Sequence, residues 1–202
     1  MGTNGLNGHG SGHLPGSPAA PPQGPPEGVT DLAASCVRFV RARYGVELDF
    51  SPDTLSLLDQ YVRDARQGET DKAETLELLT AVTGAYFGEV VRLTFGGEWK
   101  AEGESEDWRI CLEPVYLAFN PLGTMREALK GAEQPGWHAH FAMEEEDRAY
   151  VEERIAALGE VDEDEFFLPT TRWDVLEISI EALQSRMGAR GETGVRFSRE
   201  DY

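Results

Sequence analysis

LELLTAVTGAYFGEVVRL, residues 76–93, is the stretch whose reading decides the fold. Leu76, Leu79, Thr83, Tyr86, Val90 and Leu93 recur at three- and four-residue steps and form one helical stripe. Leu78, Val82, Ala85 and Glu89 form a second stripe beside it, and Phe87 and Val91 fall on a third side. A helix apolar on that many sides is packed by several neighbours at once, so a buried helix is predicted from about Lys72 to Leu93. Gly84 and Gly88 stand four apart on one face and cost about 1 kcal/mol each relative to alanine in a helix interior. Something must approach their backbone closely to offset that cost. Gly84, Tyr86 and Gly88 are therefore read as helix-packing residues.

Working outward, an earlier helix is predicted from Thr30 or Asp31, with Leu32, Val37, Val40 and Tyr44 near helical spacing and Gly45 as its stop. Ser51-Pro52 reads as a cap and first turn for a second helix, whose buried stripe is Leu55, Leu58, Val62 and Ala65. After Gly96-Gly97 the pattern shifts to alternation: Trp99 with Ala101, then Trp108, Ile110 and Leu112, then Val115, Leu117 and Phe119. These read as three short strands of an antiparallel sheet. Asn120-Pro121 opens a short helix closed by Gly131, a thinly apolar helix covers about Met143 to Leu158, and a last one runs from Thr171 to Gly188. The fold class is α+β: a helical N-terminal half with a central buried helix, a small antiparallel sheet, and C-terminal helices.

The domain expected to carry this fold spans 29–188. Residues 1–28 are Gly, Pro, Asn, Ser and Ala with few large aliphatics, a composition that cannot offset ordering entropy, and 189–202 form a polar C-terminal tail expected to fray. The chain has 202 residues and a formal net charge of -19, of which only Glu27 falls before Val29. Such a field repels phosphate backbones and anionic membranes, so neither nucleic acid nor a membrane is an expected partner. A basic protein surface, a polyamine or a divalent cation would be attracted. Cys36 and Cys111 belong to no C-x-x-C pair, no secretory signal opens the chain, and no apolar run approaches the roughly 18 residues of a membrane helix. The expected location is the cytoplasm.

Glu89 is the residue most open to a functional reading, since a carboxylate on a buried helix must be paired, hydrogen-bonded or neutral. A structural ion pair with Arg92 or Arg109 is the plain reading; a general base or ligand-binding carboxylate is the alternative. His138 and His140 would project to the same side of an extended segment, but a metal needs at least a third ligand and none can be placed, so neither metal nor cofactor is expected. Tyr86, Phe87, Trp99 and Trp108 gather at the helix-to-sheet junction, as core or as pocket walls. The acids Glu144, Glu145, Glu146 and Asp147, and then Glu160, Asp162, Glu163, Asp164 and Glu165, form an expected interaction surface. Nucleophile-elbow, phosphate-loop, dinucleotide and zinc-protease patterns are absent, which leaves no catalytic residue to name.

Leu57-Leu58-Asp59, Gly84-Ala85-Tyr86-Phe87-Gly88-Glu89-Val90 and Gly96-Gly97-Glu98-Trp99 together resemble bacterial domains of unknown function. In these a helical pair precedes a G-x-Y-x-G-x-V helix and a small sheet led by a tryptophan. Such sequences are similar to hypothetical proteins of actinobacteria and myxobacteria. The resemblance covers about residues 30 to 130; it implies the fold and supplies no catalytic residues. The leading expectation is a non-enzymatic interaction or regulatory protein with an acidic surface. An immunity or antitoxin-like inhibitor of a basic partner stands second, and a ligand binder or enzyme using Glu89 third.

Overall fold

Proline and glycine residues set most element ends in the computed structural model of the chain, which describes residues 24–157, 159 and 161–202. The first helix, α1 (Glu27–Tyr44), starts directly after Pro26, whose carbonyl accepts the N–H groups of Val29 and Thr30. It therefore begins before the predicted Thr30 cap, because the Thr30 hydroxyl bonds back to Pro26 instead of capping forward. Of the predicted tail, residues 1–23 lie outside the described residues, and Glu27 and Gly28 belong to α1. The buried face is Val29, Ala33, Cys36 and Val40, with Leu32, Val37 and Tyr44 only partly covered beside it. Gly45, at φ 71, closes the helix.

A 3-10 turn at Pro52–Thr54 leads into α2 (Leu55–Arg66). The Ser51 side chain makes no cap bond; Asp49 Oδ1 accepts the Ser51 N–H (2.9 Å) and the Thr54 hydroxyl (3.3 Å) in its place. The central helix is α3 (Ala73–Phe95), and from Val82 to Val91 every residue on it is buried. Its two ends emerge from the core, so Leu78 and Leu93, predicted to be inside, are exposed.

The two glycines show why this helix can be covered on so many sides. A Cβ at Gly84 would lie closer than 3.0 Å to Leu122 Cα, on the first turn of α4 (Pro121–Lys130). A Cβ at Gly88 would lie equally close to the six-membered ring of Trp99. Trp99 belongs to β1 (Gly97–Lys100), which pairs antiparallel with β2 (Arg109–Leu112), and β2 pairs with β3 (Ala118–Phe119). Asn120 fixes the junction. Its Oδ1 accepts the N–H groups of Leu122 and Gly123 as the α4 cap, while its Nδ2 donates to the carbonyls of Ser105 and Glu106.

The third strand is shorter than the alternation of Val115, Leu117 and Phe119 predicts. The Tyr202 hydroxyl intrudes there: it accepts the Leu117 N–H (2.9 Å) and lies 2.8 Å from the carbonyls of Leu112 and Val115. The Tyr202 ring also stacks on Tyr116 with centroids 4.6 Å apart, and Phe197 N–H donates to Glu113, so the C-terminal residues expected to fray are docked. Tyr202 and Tyr116 lie beside Cys111 on the sheet face opposite Ile110 and Leu112, and all three β2 residues are buried.

Three further helices complete the fold: α5 (Glu145–Ala156), the single turn α6 (Glu163–Phe166) and α7 (Pro169–Arg190). The helical turn α6 thus begins within the second acidic stretch. Pro169 suits a first helical position, so α7 starts before Thr171, and it passes through Gly188 to end at Gly191, φ 78. The start of α5 is bonded to the end of α7 through Asp147 with Arg186 and Arg190, so the two run antiparallel, and α7 packs on α2 and α4.

Opposite effects of one substitution test this packing. Gly88→Ala and Gly84→Ala are each expected to lower unfolding free energy by about 2 kcal/mol or more through overpacking. Gly188→Ala, on α7 with nothing within 4 Å of its Cβ position, is expected to raise it by about 0.5–1 kcal/mol. Urea denaturation of the three variants reads both signs.

Candidate functional site

Glu89 points into the space under β1 and is only 6% exposed. Its carboxylate receives a two-pronged contact from Arg92, with Nε 2.9 Å from Oε1 and Nη2 2.9 Å from Oε2. The indole Nε1–H of Trp99 donates to Oε1 at 2.7 Å. The ring that Gly88 admits is therefore the ring that holds Glu89. Both oxygens are engaged by charge-assisted or indole donors, which is a structural clamp and leaves no lone oxygen aimed at a substrate. Arg109 takes no part: its Nη1 donates to the backbone carbonyls of Trp108 (2.7 Å) and Glu106 (3.1 Å), because β2 turns it toward the 105–107 turn. Tyr86, on the same helix, serves the other side of α3. Its hydroxyl accepts the Phe50 N–H (3.0 Å), lies 2.8 Å from Thr54 Oγ1, and holds the link from α1 to α2.

Three more buried carboxylates follow the same plan, and none stands out in the sequence as buried. Asp59 on α2 accepts the N–H and hydroxyl of Thr170 at the start of α7. Glu127 on α4 accepts Arg172 Nη2 of α7 at 3.0 Å and the Gln134 N–H. Asp147 on α5 accepts Arg186 Nε at 2.8 Å and Arg190 Nη2 at 2.9 Å. The available signal was positional. Asp59 stands four residues after Leu55 and three before Val62, and Asp147 four before Val151, so each lies on the apolar stripe of its own helix.

Asp147 must accordingly be taken out of the predicted interaction surface: it is 2% exposed and holds α5 to α7. The other acids of that surface divide by pairing. Glu145 meets Arg148, Glu146 meets Arg190 and Glu165 meets Arg63, all at the surface. Glu144, Asp162, Glu163 and Asp164, and Glu152 and Glu153 of α5, are exposed and have no ion-pair partner among the described residues. Glu160 lies outside the described residues. His138, at φ 48, and His140 are both exposed. Among the described residues no group of three His, Cys, Asp or Glu side chains is placed to hold a metal ion.

The fold is thus an α+β domain built on one buried helix, with its inner carboxylates clamped and only some of its outer ones paired. The chain belongs to a family of unknown function (DUF6278), whose profile matches residues 10–110. That match takes in α1, α2, α3 and the Gly88–Trp99–Glu89 junction, and ends in β2, before the acids of α5 and α6. No curated protein and no solved structure matches the chain.

Asp59 and Asp147 should respond to pH with opposite signs. Burial raises the Asp59 carboxyl pKa in spite of the Thr170 bonds. The native state then holds the proton more tightly than the unfolded chain, and stability contributed here falls as pH rises from the unfolded value of ~3.9 through the raised one. At Asp147 burial also acts upward, but the bonds from Arg190 and Arg186 outweigh it and the pKa is lowered. Its contribution is present above ~3.9 and is lost as pH falls through the folded-state value. Asp59→Asn is expected to keep neutral-pH stability or gain slightly, since the amide can reproduce both Thr170 bonds without a charge. Asp147→Asn is expected to lose about 2 kcal/mol at neutral pH, with the loss shrinking in acid. Urea denaturation across pH separates the two.

Proposed function

We propose that the protein acts in the cytoplasm by binding a partner protein that carries a basic surface, through the exposed acids of α5 and α6. The observation that supports this is the division of the carboxylates. Asp59, Glu89, Glu127 and Asp147 are consumed inside the fold, and Arg63, Arg148, Arg172, Arg186 and Arg190 are already engaged by acids. Glu144, Glu152, Glu153, Asp162, Glu163 and Asp164 are left exposed with no ion-pair partner among the described residues. An uncompensated field of one sign speeds encounter with a partner of the opposite sign and rejects partners of the same sign.

The cysteines fit a reducing compartment. Both are free and buried; burial pushes the Cys111 thiol up to about 11 and Cys36 further still, so neither is a ready thiolate. Among the described residues no helix is long and apolar enough to cross a membrane. With Glu89 held by Arg92 and Trp99, the reading of Glu89 as a catalytic base has no geometric support.

Neutralising the six free acids to Gln or Asn in the full chain tests the reading. The wild type is expected to capture a Lys- or Arg-rich protein whose affinity falls steeply as salt rises, and the neutralised variant to lose it by tenfold or more. A partner retained equally by the variant, or indifferent to salt, would place the interface elsewhere.

A further inference from the structure

Beside α5, α6 and α7 the fold forms a half-open pocket of about 240 Å³, with the exposed His140 and Glu152 at its rim. Its walls are Phe87 of α3, Phe119 of β3, Phe141, Val151 of α5 and Leu176 of α7, with Arg172 and Arg148 as its cations. Phe87 and Phe119 are almost fully buried, so the apolar side of the cavity belongs to the core itself. The space equals roughly eight water volumes of ~30 Å³. Largely apolar concave space with a few convergent polar groups is the general form of a small-molecule site.

Arg172 is not fully used by the fold. Its Nη2 meets Glu127 at 3.0 Å, and its guanidinium lies over the rings of Phe166 (4.6 Å) and Phe167 (4.9 Å). Its Nε is buried with no hydrogen-bond partner among the described residues. That nitrogen is sealed from the pocket as well as from solvent, so the edge open to a ligand is Nη1, which makes no hydrogen bond among the described residues, and a guanidinium edge suits a carboxylate. The remaining charged groups at the cavity do not compete for that role. Arg148 is engaged outward by Glu145, Glu152 is acidic, and His140 stands at the exposed rim.

We propose that this cavity binds a small apolar monocarboxylate of on the order of eight to ten non-hydrogen atoms, its carboxylate at Arg172 and its hydrocarbon among Phe87, Phe119 and Leu176. The net charge of -19 opposes any anion at long range, so a carboxylate held here is held by the local contact. At physiological salt the opposing field is screened beyond about 8 Å. The carboxylate contact rests on Arg172 and not on the acidic surface: of the six free acids Glu152 alone borders the pocket, and Ala139→Trp leaves all six in place.

Calorimetric titration of the full chain with octanoate and with octan-1-ol, at physiological salt, tests the site. Octanoate is expected to bind one to one and at least tenfold tighter than the alcohol. Ala139→Trp, at a half-buried loop position on the cavity wall, is expected to abolish binding of both by filling the space. The paired change Glu127→Gln with Arg172→Gln removes both charges together, leaves no unpaired buried ion, and is expected to erase the preference for octanoate. Absence of octanoate binding, an alcohol bound as tightly as the acid, or binding unaltered in Ala139→Trp would each overturn the proposal. A preference that persists without Arg172 would overturn it as well.

Discussion

The close approach of Trp99 and of the first turn of α4 to Gly88 and Gly84 is the constraint on which the rest of the structure depends. Neither contact leaves room for a Cβ, so the helix-propensity cost of the two glycines is offset by burial that no larger residue would permit. From that contact the other placements follow. The indole that rests on Gly88 reaches Glu89, and Glu89 holds Arg92. The backbone that rests on Gly84 begins at Asn120, which caps α4 and at the same time ties down the 105–107 turn. Sheet, turn and helix are thereby registered against one side of α3, while Tyr86 registers the α1 to α2 link against the other.

Electrostatics divides the molecule into two regimes. Asp59, Glu89, Glu127 and Asp147 are each almost fully buried and each accept two or more hydrogen bonds. Desolvating a carboxylate costs several kcal/mol, which good partners roughly offset, so these clamps contribute more to which helix sits where than to net stability. Three of them tie α7 to a different helix: Asp59 from α2, Glu127 from α4 and Asp147 from α5. The outer acids obey the other regime. In water each surface pair is worth ~0–1 kcal/mol, so Glu145 with Arg148 or Glu165 with Arg63 adds little to the fold. Their value is available to whatever binds from outside.

Local signals carried the fold class and the central helix. The 3-4 recurrence through Leu79, Tyr86 and Val90, the strand alternation around Ile110, and the Asn120-Pro121 start of α4 are short-range patterns, and each appears where its period puts it. What sequence could not carry was long-range. Nothing near Tyr202 announces that its hydroxyl will cut β3 short, since its partners are more than eighty residues away. Arg109 was as plausible a partner for Glu89 as Arg92, and only the register Trp99 to Ile110 turns it away. Asp147 looked like part of an acidic helix start; the two arginines that bury it lie at the far end of α7. The pocket at Arg172 draws on six elements and has no local sequence signature.

The sealed contact between Trp99 and the Gly88 face is most directly tested by hydrogen exchange at the Trp99 indole Nε1–H, followed by NMR in the native state. Because that proton is buried, donated to Glu89 and covered by α3, it should exchange only through global unfolding, with a protection free energy equal to that from urea denaturation. Exchange at a rate far above the global one, with the rest of α3 still protected, would show that β1 opens away from Gly88 and would contradict the central role given to this contact.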